Sequence, residues 1–331
     1  MPNTYKSPFE INNSIITSVA EIAELCGRIS VISKSDKNLT LRRKNRIKTV
    51  YSSLAIEQNT LTLEQVTDVI NGKYVIAPPK DIEEVKNAFE IYEILDSLNP
   101  FSTEDLLKAH GVMMKGLTDE AGQFRSKPVG VVDSATGEVI HIGTLPDYVP
   151  GLTEQLLQWV KNSSVHPLIK SCVFHYEFEV IHPFIDGNGR TGRLWHTLLL
   201  SKWNPLFSYL PIESIIFKNQ KEYYSVINEC NCLGNSTKFI EFMLIAIKTA
   251  LLEVSEDVGE NVGKNVGKNV GENLKNNILN LIKDNPKISA SKIAKELNIS
   301  SRQVERIIAK LKKENIITRT GSAKGGYWIV N

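Results

Sequence analysis

Between Ile181 and Arg193 the chain reads IHPFIDGNGRTGR, which crowds an imidazole, a carboxylate, two guanidinium groups and a glycine-rich turn into one short stretch. Asp186-Gly-Asn-Gly189 must be a loop, because two glycines flanking Asn favour positive φ and oppose helix continuation. From Arg190 to Leu200 an apolar periodicity resumes, so a helix starts where the loop ends. A loop of this kind feeding a helix N-terminus presents unpaired N–H groups and the positive dipole end, a cradle for phosphate oxygens. Arg190 and Arg193 lie three apart on one face of that helix and add forked cationic donors. Asp186 is the hard oxygen ligand that Mg²⁺ takes beside phosphates. His182 stands just before the loop, and imidazole is the side chain best suited to accepting a proton near neutral pH. A base, a metal carboxylate, an anion nest and two arginines together point to chemistry on a polyphosphate.

These residues need a scaffold, and the flanking sequence reads as helices. Ile11–Ile29, Leu39–Glu57, Thr62–Ile70, Ile82–Leu98, Thr103–Lys115, Leu152–Lys161 and Leu168–Ile181 place apolar residues at intervals of three and four. Thr62 with Gln65, and Asp81 with Glu84, have capping-box spacing. VGVVDSATGEVIHIG at 129–143 alternates β-branched residues around Thr-Gly, as a hairpin does. The apolar and charged fractions, 42% and 23%, are those of a globular protein. No signal peptide or membrane span is legible, so a cytoplasmic protein without a membrane partner is expected. Cys230 and Cys232 have no second pair to complete a zinc site, and Cys26 and Cys172 read as buried thiols.

Beyond residue 255 the composition changes. Residues 258–273 are four Val-Gly-x-Asn units, whose glycines weaken a helix by about 1 kcal/mol each, so 256–272 reads as a linker rather than a short oligomerising helix. From Asn273 onward there are twelve basic and four acidic residues, against 27 basic and 33 acidic in the rest of the chain. Three helical patterns and a Gly-rich hairpin follow one another there, the order of a winged helix-turn-helix. Ser300 and Gln303 have capping-box spacing at the third of these helices. Ser301, Arg302, Arg306 and Lys310 lie along that helix and could face a major groove, with Arg319 and Lys324 in reach of phosphates. A protein-interaction or dimerisation module, and with it a homo-oligomer, is the competing reading of this tail.

HPFIDGNGRTGR matches, position by position, the signature HPFx(D/E)GNGRxxR of the Fic family, and the resemblance extends over most of residues 10–250. SCVFHYEFEVIHPF, GQFR at 122–125, the hairpin and KEYYSVINECN all look like features of that family. The resemblance implies a mainly α fold: a helical bundle with a β-hairpin flap over the site (1–255), then the repeat and a small winged helix-turn-helix (273–331). It implies transfer of AMP from ATP, with Mg²⁺, to a hydroxyl of a target protein. His182 would then be the base, Phe184 a loop anchor and Asp186 the metal ligand. Gly187, Asn188, Gly189, Arg190, Thr191, Gly192 and Arg193 would surround the phosphates. Tyr223, Tyr224 and Asn231 match nucleoside-contacting positions. Ile140, His141, Ile142 and Gly143 match the flap, whose edge would align an extended target segment by strand addition. Gly187 keeps to the pattern at a position where members that transfer phosphate alone depart from it.

SSLAIEQN at 52–59 resembles the family's inhibitory motif, (S/T)xxxE(G/N), which spans 53–58 here and carries Ser53 and Glu57. The resemblance implies that Glu57 pairs with Arg193 and blocks the seat of the γ-phosphate, and in some relatives the same glutamate supports AMP removal. Gln58 departs from the usual Gly or Asn. Two other readings stand beside this one. His175, Glu179 and His182 are spaced roughly along one helix face, as ligands of a hydrolytic transition metal would be, but that leaves the Gly-Asn-Gly loop and the arginines unexplained. The basic tail allows a DNA-binding transcriptional regulator whose Fic-like domain performs some other nucleotide or phosphoryl transfer.

Overall fold

The computed structural model describes residues 7–32, 38–132, 139–142, 144–297, 301–321 and 326–330. The chain divides into two units, Met1–Glu256 and Asp257–Asn331. The first contains helices α1 (Asn13–Ile32), α2 (Asn38–Ile56), α3 (Leu63–Ile70), α4 (Pro79–Glu93), α5 (Thr103–Met113), α6 (Val149–Asn162), α7 (Pro167–Ile181), α8 (Asn188–Trp203), α9 (Ile212–Lys218) and α10 (Gln220–Leu233). Helix α11 runs from Thr237 to Asp284. Among the described residues no helix is long and apolar enough to cross a membrane.

Helix α7 is central because PLIKSCVFHYEFEVI is apolar on nearly every side, and a helix of that kind must be covered all round. Helix α8 packs along it, and Leu194, Trp195 and Leu198 join Phe174, Phe178 and Phe184 in one core. The loop between α7 and α8 is therefore anchored at both ends by buried helices. Strands β1 (Gly130–Val132) and β2 (Val139–Ile142) pair antiparallel, Gly130 opposite Ile142 and Val131 opposite His141. The Thr-Gly turn and Gly143 lie outside the described residues.

Thr62 and Gln65 form the expected capping box. Asp81 and Glu84 do not. Pro79 occupies the first turn and starts α4 earlier, with Pro78 as a cap that lacks a side-chain bond. Asp81 instead accepts from the N–H and hydroxyl of Thr60, and Glu84 turns into the interior. The repeat at 256–272 also departs from expectation, for its backbone is helical throughout as part of α11. Once a helix has nucleated upstream, each glycine costs only its own propensity and no second nucleation is needed.

The second unit contains α12 (Ala290–Glu296), α13 (Ser301–Lys313) and an antiparallel pair, β3 (Ile317–Thr320) and β4 (Tyr327–Val330). Its core gathers Ile278, Ile282, Ile293, Val304, Ile308, Leu311, Ile317 and Trp328. Ser289 caps α12 through the Lys292 N–H. The Ser300 cap lies outside the described residues.

Candidate active site

His182 ends α7 in the left-handed region, at φ 49° and ψ 64°. A non-glycine residue reaches that conformation at a cost of about 1–2 kcal/mol, so its surroundings must hold it there. Arg125 does so: its Nε donates to His182 O at 2.6 Å, Nη2 to Ile181 O at 3.3 Å, and its backbone N–H to Pro183 O at 3.0 Å. The same guanidinium also donates to Thr144 O, next to the flap. Phe184 is fully buried and stacks on His110 at 3.6 Å, with Phe124 and Phe178 on other sides. Asn188 reaches back with both ends of its amide, accepting from Phe184 N–H and donating to Phe184 O at 2.9 Å each.

His110 closes the base of the loop. Its Nδ1 accepts from Gly122 N–H at 2.9 Å, which places the proton on Nε2, 3.0 Å from Asp186 O. Burial pushes the His110 imidazole down to about 4, so it is a neutral brace. Gly187 lies at φ +81°, a conformation that strains any other residue, and a Cβ there would also have to displace Met114 Sδ from 2.5 Å.

Asp186 keeps half its side chain exposed while Oδ1 accepts from Gly187 N–H at 2.6 Å and from Arg190 Nη2 at 3.1 Å. One anchored carboxylate beside a phosphate cradle fits Mg²⁺, which takes one or two carboxylates plus substrate phosphates and keeps its waters. Among the described residues no cluster of three or more His, Cys, Asp or Glu could hold a metal by itself. The transition-metal reading also loses His175, which is wholly buried with Nε2 3.0 Å from the Tyr223 hydroxyl.

Arg193 is 1% exposed and meets α2 with three bonds. Nη2 donates to Glu57 Oε1 at 2.7 Å and to Ser53 O at 2.9 Å, and Nε donates to Ser53 Oγ at 3.1 Å. Burial weakens the cation, but the Glu57 carboxylate outweighs it and holds the guanidinium above its usual range. Burial likewise pushes the neighbouring Glu179 carboxyl up to about 7, Arg193 opposing and Glu57 reinforcing the shift.

The end of α2 aims Glu57. Gln58 N–H donates to Ala55 O and Asn59 N–H to Leu54 O, both at 3.1 Å, which is a Schellman motif with Gln58 at its left-handed position, φ 67°. That explains why the resembled motif carries Gly or Asn there. Gln58→Gly removes the strain, and we expect it to raise stability by about 1 kcal/mol and Tm by about 2 to 4 °C in a thermal melt. An unchanged Tm would show that Gln58 carries no strain.

The remaining expected residues divide. Gly189 faces the Glu57 carboxylate and Arg193, and Gly192 packs against Glu179 and Phe178. Thr191 is fully buried, its hydroxyl without a protein partner. Tyr223 is 1% exposed and packed among His175, Phe239 and Phe242, while Tyr224 is 46% exposed beside it. Asn231 accepts from the Tyr176 hydroxyl at 2.9 Å. For Ile140, His141 and Ile142 the strand backbone is described, and for Ser301 and Arg302 the helix backbone. Arg306 and Lys310 are exposed on α13, whereas Arg319 lies over the Trp328 ring at 5.0 Å. Lys324 lies outside the described residues. The sequence reading assigned no site role to Arg125, His110, Met114 or Glu84. Of these, Arg125 carried a signal, as the last residue of GQFR.

The sequence model described as Fic/DOC family matches residues 100–200, and that described as winged helix-turn-helix DNA-binding matches 272–318. Protein adenylyltransferase fic-1 of Caenorhabditis elegans is 30% identical over 208 residues, covering 59% of this chain and 38% of that protein. Protein adenylyltransferase Fic of Nematostella vectensis is 29% identical over 206 residues, covering 59% and 45%. The chain thus spans less than half the length of these curated relatives. A crystal structure of a Fic family protein from Desulfovibrio desulfuricans G20 superposes with a TM-score of 0.75 at 40% identity, covering 99% of this chain and 98% of that one. With the braced HPFIDGNGRTGR loop and a relative matched along nearly its whole length, the chain belongs to the Fic family.

Proposed function

We propose that the chain is a protein adenylyltransferase that moves AMP from ATP to a Ser, Thr or Tyr hydroxyl of a target protein and is held back by its own Glu57. The observation that carries this reading is the loop from His182 to Arg193, braced by Arg125, His110 and Asn188 and closed by Glu57 on Arg193. His182 would take the hydroxyl proton, the freed oxygen would attack the α-phosphorus, and the bond to the β-phosphate oxygen would break to release pyrophosphate. Asp186 would hold Mg²⁺, which when bound neutralises charge on the phosphates. The loop N–H groups, Arg190 and Arg193 would receive the phosphate oxygens, with Tyr224 and Asn231 toward the nucleoside. The flap strands would align the target segment. Free thiols at all four cysteines suit a cytoplasmic setting.

The direct test is incubation with a lysate and ATP labelled on either the α- or the γ-phosphate. Label from the α-position on a discrete protein band is the expected result. Label from the γ-position alone would mean phosphate transfer and refute the reading.

The second unit favours DNA as a further partner. It matches a DNA-binding winged helix, and Arg306 and Lys310 are exposed on α13 in line with Ser301 and Arg302. Arg302, Arg306 and Lys310 set on three phosphates would weaken binding about 40-fold between 50 and 200 mM salt. A gel shift that ignores salt, or no binding at low salt, would leave this unit as a protein-interaction or dimerising module.

A further inference from the structure

Arg190 is gripped by carboxylates at both terminal nitrogens: Nη1 donates to Glu84 Oε1 and Nη2 to Asp186 Oδ1, each at 3.1 Å. Its Nε is buried without a partner, so these two carboxylates set the plane of the guanidinium. Glu84 comes from α4 and is 5% exposed. Its other oxygen, Oε2, accepts from Asn59 Nδ2 at 2.8 Å, and the same amide group donates to Asp81 O at 3.1 Å. Asn59 stands two residues beyond Glu57, and its N–H closes the Schellman motif onto Leu54 O. The turn that ends α2 therefore reaches both arginines of the loop, Arg193 directly through Glu57 and Arg190 through Asn59 and Glu84.

We propose that Glu84 is a positioning residue that aims Arg190 at the outer phosphates of the nucleotide, and that Asn59 holds Glu84 in place from the end of the inhibitory helix. This rests on the reading of the loop as an ATP site. An ordinary buried ion pair would contribute to folding alone. A positioning pair must also discriminate between nucleotides, because only ATP carries the phosphates that Arg190 would meet.

The test uses the full chain carrying Glu57→Gly, with ATP and AMP binding measured by calorimetry in the presence of Mg²⁺ beside a thermal melt. Glu84→Gln keeps the shape and one acceptor, and is expected to weaken ATP binding about 10-fold while AMP binding stays within about twofold. Asn59→Ala, which touches neither arginine, is expected to weaken ATP about threefold, and the double variant to be no worse than Glu84→Gln, as for two residues on one path. If Glu84→Gln fails to fold, Asn59→Ala decides alone. Equal losses for ATP and AMP, or an unchanged ratio, overturn the proposal while the ATP site stands. A Glu57→Gly parent that binds neither nucleotide overturns the ATP site and the proposal with it.

Discussion

Replacing His182 by asparagine is expected to lower AMP transfer by about 1,000-fold, within the range that a positioned general base contributes. Asparagine is the informative choice because position 182 sits at φ 49°. Asn enters the left-handed region more readily than most residues, whereas alanine would add backbone strain to the loss of the imidazole. The brace should survive, since Arg125 grips the carbonyls of residues 181 to 183 and not the imidazole. The expected pattern is an unchanged Tm, near-normal ATP binding and a fall in kcat of α-labelled transfer. A variant that keeps its rate would remove His182 from the chemistry and leave the loop as a nucleotide-binding element.

Replacing Glu57 by glycine should work in the opposite direction and raise AMP transfer by about 10- to 100-fold, the size of a typical coupling between a regulatory contact and a site. The reason is competition for one cation. Arg193 has 1% of its surface exposed and donates to Glu57 and to Ser53, so an incoming phosphate must displace a carboxylate already in place at 2.7 Å. Without that carboxylate, the Nη2 donor that Glu57 engaged becomes available while Ser53 still orients the guanidinium. Glycine also suits the end of a helix, so α2 should terminate where it does now. Glu57→Gln, which still accepts a hydrogen bond but lacks the charge, should fall between the two. Labelling no higher than wild type would show that the Glu57–Arg193 bond is structural and not inhibitory.

Much of this site is legible in local sequence. The break at Asp186-Gly187 and the apolar helices on either side are local features, although α8 starts at Asn188 and so takes in the second half of the expected loop, and SSLAIEQN places Ser53 and Glu57 one helical turn apart. These features depend on neighbours within four residues, where backbone preference and helical periodicity operate. The same locality misleads at Asp81 and Glu84, whose spacing suggests a cap. A proline start moved the cap, and a buried guanidinium 106 residues away recruited the glutamate. Tyr223 shows a related limit: only the family resemblance suggested a nucleoside contact for it, and its 3.0 Å bond to His175 is made 48 residues away in sequence.

What the chain determined on its own was therefore the set of parts: a glycine-rich turn, a histidine before it, two arginines behind it and a helix followed by a glutamate. Only the tertiary structure decided which carboxylate faces which arginine and which side chain braces the left-handed histidine. The physical reason lies in burial. A charged or polar group removed from water must find a partner wherever the packed helices bring one, and sequence distance does not enter that choice.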